Sequence, residues 1–210
     1  MVFKDRKEAG RLLLREVEAL GLASPVVLGI PRGGVVVAAE VARGLEAPID
    51  VIIPRKIGAP SNAELAIGAI AQDGTVILDE AMVRALRVER GYIEREARRQ
   101  TAEIDRRLWV YRGDRPAVGL GSMDVIVVDD GIATGLTMTA ALRSVSNQSP
   151  SSVVLAVPVA PAEAVERLAP EVDHLVCLAT PEPFYAVGQW YARFDQVDDD
   201  EVISILNRDM

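Results

Sequence analysis

Short apolar runs alternate with amphipathic stretches along most of the chain. Residues 26–30, 49–53, 125–128, 152–157 and 173–178 are nearly continuous aliphatic runs, the pattern of strands buried on both faces. Residues 5–20 place Ala9, Leu12, Leu13, Val17 and Leu20 at helical spacing and stop at Gly21. Further helices are predicted over 35–43, 136–146 and 161–168, and a long charged one over 80–111 with a break at Gly91. Residues 55–74 are rich in small residues and mostly non-periodic, although 66–71 predicts a short strand paired with 75–78. A stretch that long, between elements, is usually a lid or a binding loop. The tail, 181–208, is aromatic-rich and then helical. The alternation predicts an α/β fold, a doubly wound and mostly parallel sheet flanked by helices, with ligands at the carboxyl ends of the strands.

Composition narrows the class. The chain has 210 residues, half of them apolar, which suits one domain with a real core. No apolar run approaches the ~20 residues of a membrane span, and the N-terminus shows no secretory pattern, so a cytoplasmic protein is expected. The single cysteine, Cys177, excludes an intrachain disulfide and fits a reducing compartment. Its setting in HLVCLA suggests a small buried hydrophobe. The lone histidine, His174, reads as a strand-edge residue, with no Cys or His cluster to make it a metal ligand. A formal charge of −8 opposes non-specific nucleic-acid binding. Lysine is confined to Lys4, Lys7 and Lys56, so Lys56 alone supplies a compact ammonium in the body of the chain.

The chemistry concentrates in residues 125–138, VIVVDDGIATGLTM. An apolar strand ends in two adjacent carboxylates, Asp129 and Asp130. A turn of small and hydroxyl residues then opens a helix. A helix start offers unpaired N–H groups and a positive dipole end to a phosphate. The carboxylates can accept from sugar hydroxyls or face a metal ion. No lysine stands in the loop, so it is not a Walker A motif, and the dinucleotide GxGxxG spacing is absent. The plain alternative is an ordinary strand-to-helix turn capped by Asp and Thr.

DDGIATGLT after four aliphatics resembles the ribose-phosphate signature of the type I phosphoribosyltransferases, and the resemblance extends over roughly residues 26–178. Its loops are most similar to those of adenine phosphoribosyltransferases. The resemblance implies transfer of ribose 5-phosphate from phosphoribosyl pyrophosphate to a nitrogen base, with Mg²⁺ as cofactor and a role in nucleotide salvage. By resemblance, Asp129 and Asp130 hold the ribose hydroxyls and reach the metal directly or through water. Ala133, Thr134, Gly135, Leu136 and Thr137 wrap the 5′-phosphate. Arg32, Gly33 and Gly34 in IPRGG bind pyrophosphate, with Arg55 and Lys56 as further partners for its charge and Lys56 acting in turnover. Residues 55–74 become a closing lid, 80–111 a helical insertion, and 181–210 a hood.

Other consequences stay open at this stage. Ala133 stands where 6-oxopurine enzymes carry an acid/base Asp, which disfavours hypoxanthine and guanine. Gly131 replaces a larger aliphatic and is expected to loosen the loop. Glu64 faces a base, a metal-bound water or solvent. Phe184, Tyr185, Trp190 and Tyr191 stack on an acceptor, seal the sheet end or contact another copy. The long helix serves as a dimer arm or covers the lid, so a homo-oligomer is one expectation. Two other functions compete: a regulatory protein that binds the donor without turnover, and a phosphatase using Asp129, which the missing DxD spacing disfavours.

Overall fold

The computed structural model describes residues 2–208. A five-stranded parallel sheet forms its centre: β1 (Pro25–Gly29), β2 (Ile49–Val51), β6 (Asp124–Val128), β7 (Ser152–Val159) and β8 (His174–Ala179), in the order β2-β1-β6-β7-β8. β6 lies between β1 and β7, with Val128 beside Gly29 and Ala156. The strand order reverses on either side of β1, the place where open α/β sheets bind ligands.

Successive strand residues point to opposite faces and feed two cores. Val27, Ile126, Val128 and Val154 pack with α1 (Arg6–Glu18) and α2 (Gly33–Leu45). Val26, Leu28, Val125, Val127 and Leu155 pack with α5 (Leu136–Ser146) and α6 (Ala162–Leu168). This two-sided burial explains why the strands read as unbroken aliphatic runs. The helix expected over 5–20 is capped by Asp5, which accepts from the Glu8 N–H at 2.9 Å.

Residues 55–74 are more regular than their sequence suggests. β3 (Arg55–Ala59), β4 (Asn62–Ile70) and β5 (Val76–Leu78) form a separate antiparallel sheet, in which the expected pairing of 66–71 with 75–78 is present. Register shifts around Gly58 displace the β3–β4 pairing and interrupt the period-two pattern. Ile57, Ile67 and Ile70 anchor this sheet in the core.

The charged stretch 80–111 is two helices, α3 (Glu80–Ala85) and α4 (Arg90–Arg112). The break falls at residues 86–89, where Arg87 takes φ +51°, and not at Gly91. Gly91 lies in the first turn of α4, where N–H groups lack helical partners and glycine disturbs little. The far end of α4 is fixed by a buried ion pair: Arg112 Nε donates to Asp50 Oδ1 at 2.8 Å, and Arg112 Nη2 to the Val51 carbonyl at 2.9 Å.

The chain ends meet. The Phe3 N–H donates to the Trp190 carbonyl, and the Ala192 N–H to the Phe3 carbonyl, both at 2.7 Å. α7 (Asp199–Arg208) then packs against α2 and α4. No helix among the described residues is long and apolar enough to cross a membrane.

Candidate active site

The carboxyl end of β6 delivers Asp129 and Asp130 to a point where three other segments converge. The first is the start of α2. A Cβ added at Gly33 would lie 1.9 Å from Asp130 Oδ2, and one at Gly34 would lie 2.8 Å from Asp129 Oδ1. The two glycines therefore let a helix N-terminus abut both acids, and its dipole favours their charge. The second segment is the N-terminal helix: Arg6 Nε donates to Asp130 Oδ2 at 2.7 Å. The third is the tail: the Tyr191 hydroxyl donates to the Asp130 carbonyl at 2.5 Å.

The carboxylates themselves are sparsely paired. Asp129 Oδ1 accepts the Asp130 N–H at 2.8 Å, and Asp130 Oδ2 accepts Arg6. Burial pushes the Asp129 carboxyl well above the usual carboxylate range, and the adjacent Asp130 charge pushes it further. Asp130 is also raised by burial, with the Arg6 hydrogen bond and charge acting against the rise. Tyr191 is raised as well, by burial first and then by Asp130. Acids held above their ordinary range in a cleft are characteristic of working sites.

The loop beyond the acids ends as a helix start should for an anion. Gly135 takes φ +77° as the N-cap of α5, no side chain caps the helix, and its first turn holds no acid. Ala133 and Thr134 are exposed, while Leu136 and Thr137 are half-buried. Arg167 of α6 donates to the Thr134 carbonyl at the loop's rim. Nothing in the local sequence of α6 marks it for that place.

The other candidate cations are dispersed. Arg32 caps α2 beside a cis Pro31–Arg32 peptide, and its Nη1 lies 3.8 Å from Asp199 Oδ1. Arg55 faces α4, where its Nε donates to Gln100 Oε1 at 2.9 Å. Burial, and then the neighbouring charges of Arg107, Arg99 and Arg106, lower its pKa against one opposing acid, Glu103. Lys56 Nζ pairs with Glu64 Oε2 at 2.6 Å, and that hydrogen bond holds the Glu64 carboxyl below its usual range. The structure therefore joins Gly33, Gly34, Asp129 and Asp130 directly and sets Arg32 on the rim of the cavity beside them, but gives Arg32, Arg55 and Lys56 partners of their own. A cavity of about 390 Å³ opens beside Asp130, lined by Arg6, Arg32, Gly33, Phe194, Asp195, Gln196 and Val197.

Two expectations change. Gly131 does not loosen the loop: a Cβ there would lie 2.6 Å from Val187 Cγ1, so the glycine admits the tail against the sheet end. The four tail aromatics do not form one stacking platform. Tyr191 is buried against Phe3 and Phe194, Phe184 stacks on Trp190, and Tyr185 is 78% exposed. Arg6, Phe3 and Phe194 escaped notice in the sequence because each becomes significant only once the chain ends meet.

Residues 4–179 match the family model of the phosphoribosyl transferase domain. The chain belongs to that family. A Mycobacterium tuberculosis (strain H37Rv) protein named as a candidate phosphoribosyl transferase is 44% identical over 207 residues, 99% of this chain and 47% of that protein. The chain thus spans about half the length of the curated relatives it matches. The crystal structure of TT1426 from Thermus thermophilus is 48% identical, covers 98% of both chains and superposes with a TM-score of 0.84. A purine phosphoribosyltransferase from Pyrococcus horikoshii shares the fold at 14% identity and a TM-score of 0.50, over 92% of each chain. The parallel sheet with flanking helices is thus the phosphoribosyltransferase fold, as its sequence pattern leads one to expect.

Proposed function

We propose that this chain transfers ribose 5-phosphate from phosphoribosyl pyrophosphate to a nitrogen base, releasing pyrophosphate. The observation that carries the reading is the placement of two half-buried carboxylates between a glycine-opened helix start and an uncapped one. In this reading the α5 start and residues 133–137 take the 5′-phosphate through backbone N–H groups. Asp129 and Asp130 take the ribose hydroxyls, each through the oxygen not already engaged. Arg32 and the Gly33–Gly34 backbone take the pyrophosphate, with Arg32 exchanging Asp199 for a phosphate oxygen. Lys56 exchanges Glu64 in the same way as the exposed tip of the β3–β4 hairpin, residues 60–65, closes and excludes water from an oxocarbenium-like centre.

Among the described residues no group of three or more His, Cys, Asp or Glu side chains converges on a metal-sized space. Two carboxylates with an oxygen apiece to spare fit Mg²⁺ nonetheless, since it binds through one or two acids plus substrate oxygens. When bound, the ion would neutralise charge on the departing pyrophosphate.

The test is calorimetric binding of phosphoribosyl pyrophosphate with Mg²⁺, followed by pyrophosphate release across a panel of nucleobases. Release with at least one base is expected. A chain that neither binds the donor nor releases pyrophosphate would overturn the reading, and tight donor binding without release would leave a regulatory protein. Lys56→Ala is expected to weaken the donor about tenfold while leaving ribose 5-phosphate unchanged, the loss of roughly one charged hydrogen bond. Equal affinity for the donor in variant and wild type would remove Lys56 from the site.

A further inference from the structure

Arg6 occupies an odd place for a cation. It is the first residue of α1, where a positive side chain opposes the helix dipole that Asp5 and Glu8 complement. Its side chain is nevertheless only 11% exposed and is held on three sides. Nε meets Asp130 Oδ2 at 2.7 Å, Nη1 donates to the Asp195 carbonyl at 2.7 Å, and the guanidinium lies 3.8 Å from the centre of the Phe194 ring. The fit extends to Gly33, where an added Cβ would fall 2.7 Å from Arg6 Nε as well as 1.9 Å from Asp130 Oδ2. Three stretches of chain distant from Arg6 therefore combine to hold one guanidinium against one carboxylate oxygen.

We infer that Arg6 is a positioning residue for the ribose site. It fixes Asp130 by Oδ2 and leaves Oδ1 to accept from one sugar hydroxyl. The inference rests on the ribose-phosphate reading above and adds to it a residue from outside the signature loop. Arg6 keeps its ion pair while sugar is bound, because a carboxylate has lone pairs enough for both partners. The chain ends thereby act on the donor site, since Phe194 and Asp195 set the height of the guanidinium. A planar, forked cation meets these three contacts at once, whereas an ammonium would meet only some of them.

The test measures calorimetric affinities of wild type, Arg6→Gln and Arg6→Lys for ribose 5-phosphate and its 2-deoxy and 3-deoxy analogues, with melting curves alongside. Wild type is expected to prefer ribose 5-phosphate over both analogues. In Arg6→Gln the preference for the one hydroxyl that Asp130 holds should fall about tenfold, on the scale of a charged hydrogen bond, while the other preference persists. Arg6→Lys should fall between. Loss of affinity for all three sugars in equal measure would mark Arg6 as merely structural and overturn the inference. So would unchanged preferences, or tighter ribose 5-phosphate binding by Arg6→Gln, which would make Arg6 a competitor of the sugar. A wild type that binds none of the three would instead overturn the ribose-phosphate reading, and Arg6's role with it.

Discussion

Two arginine–carboxylate pairs of similar burial, drawn from distant parts of the chain, are treated oppositely. Asp50 and Arg112 are 8% and 12% exposed, much like Asp130 and Arg6 at 15% and 11%. Yet the Asp50 carboxylate accepts three donors: Arg112 Nε, the Val51 N–H at 2.7 Å and the Val118 N–H at 3.1 Å. Asp129 and Asp130 accept Arg6 Nε and the Asp130 N–H and otherwise have chiefly each other's carboxyl as a partner. One carboxylate is fully compensated; the other two carboxyls are left with oxygens to spare. The difference teaches where to look for chemistry: a satisfied buried ion holds elements together, and an under-satisfied pair awaits donors from a ligand.

The largest effect should come from cutting the satisfied pair. Arg112→Ala strands Asp50 in the core and should cost about 3–5 kcal/mol in urea unfolding. If it costs no more than an exposed arginine does, the contrast fails at its structural end. Next comes Asp130→Asn, expected to weaken ribose 5-phosphate about 10- to 100-fold while destabilising much less than Arg112→Ala, because Asn still offers Arg6 an acceptor. The reverse ranking in stability would merge the two regions into one class.

Asp129→Asn sharpens the comparison through pH. A carboxyl raised by burial is protonated alike in both states at low pH. As pH rises, the unfolded chain ionises first and the native state loses stability until its own carboxyl titrates. The advantage of Asp129→Asn over wild type should therefore be absent near pH 3 and grow towards neutrality in unfolding titrations. A constant difference across that range would contradict the assignment. The smallest effect belongs to Glu103, lowered to about 2 by hydrogen bonds from Arg106 and then Arg107. Its stabilisation is present above the ordinary carboxylate range and fades as pH falls towards 2. The pairs are solvent-facing, so Glu103→Gln should cost less than about 1 kcal/mol and vanish in high salt.

Legibility followed the range of the interactions. The parallel strands were readable because burial on both faces leaves an aliphatic run that needs no knowledge of neighbours. The antiparallel sheet over 55–78 was only half readable, since a shifted register at Gly58 erases the alternation that betrays a strand. The helix break was misplaced because glycine signals weakness anywhere in a helix, whereas here the first turn tolerates it and Arg87 makes the turn. In the site, the acids and the loop were visible as one contiguous stretch. Arg6, Arg167 and Phe194 were not, because no local pattern tells a guanidinium which carboxylate or carbonyl lies across the fold.

By itself the sequence determined the strand–helix alternation, the acid pair and the small-residue turn before α5, because each follows from burial or backbone sterics over a few adjacent residues. Only the tertiary structure decided that the two chain ends close beside Asp130, that Gly131 exists to admit Val187, and that Arg55 and Lys56 have other partners. Those outcomes depend on contacts between residues far apart in the chain, and a hydrogen bond 124 residues long leaves no trace in either neighbourhood.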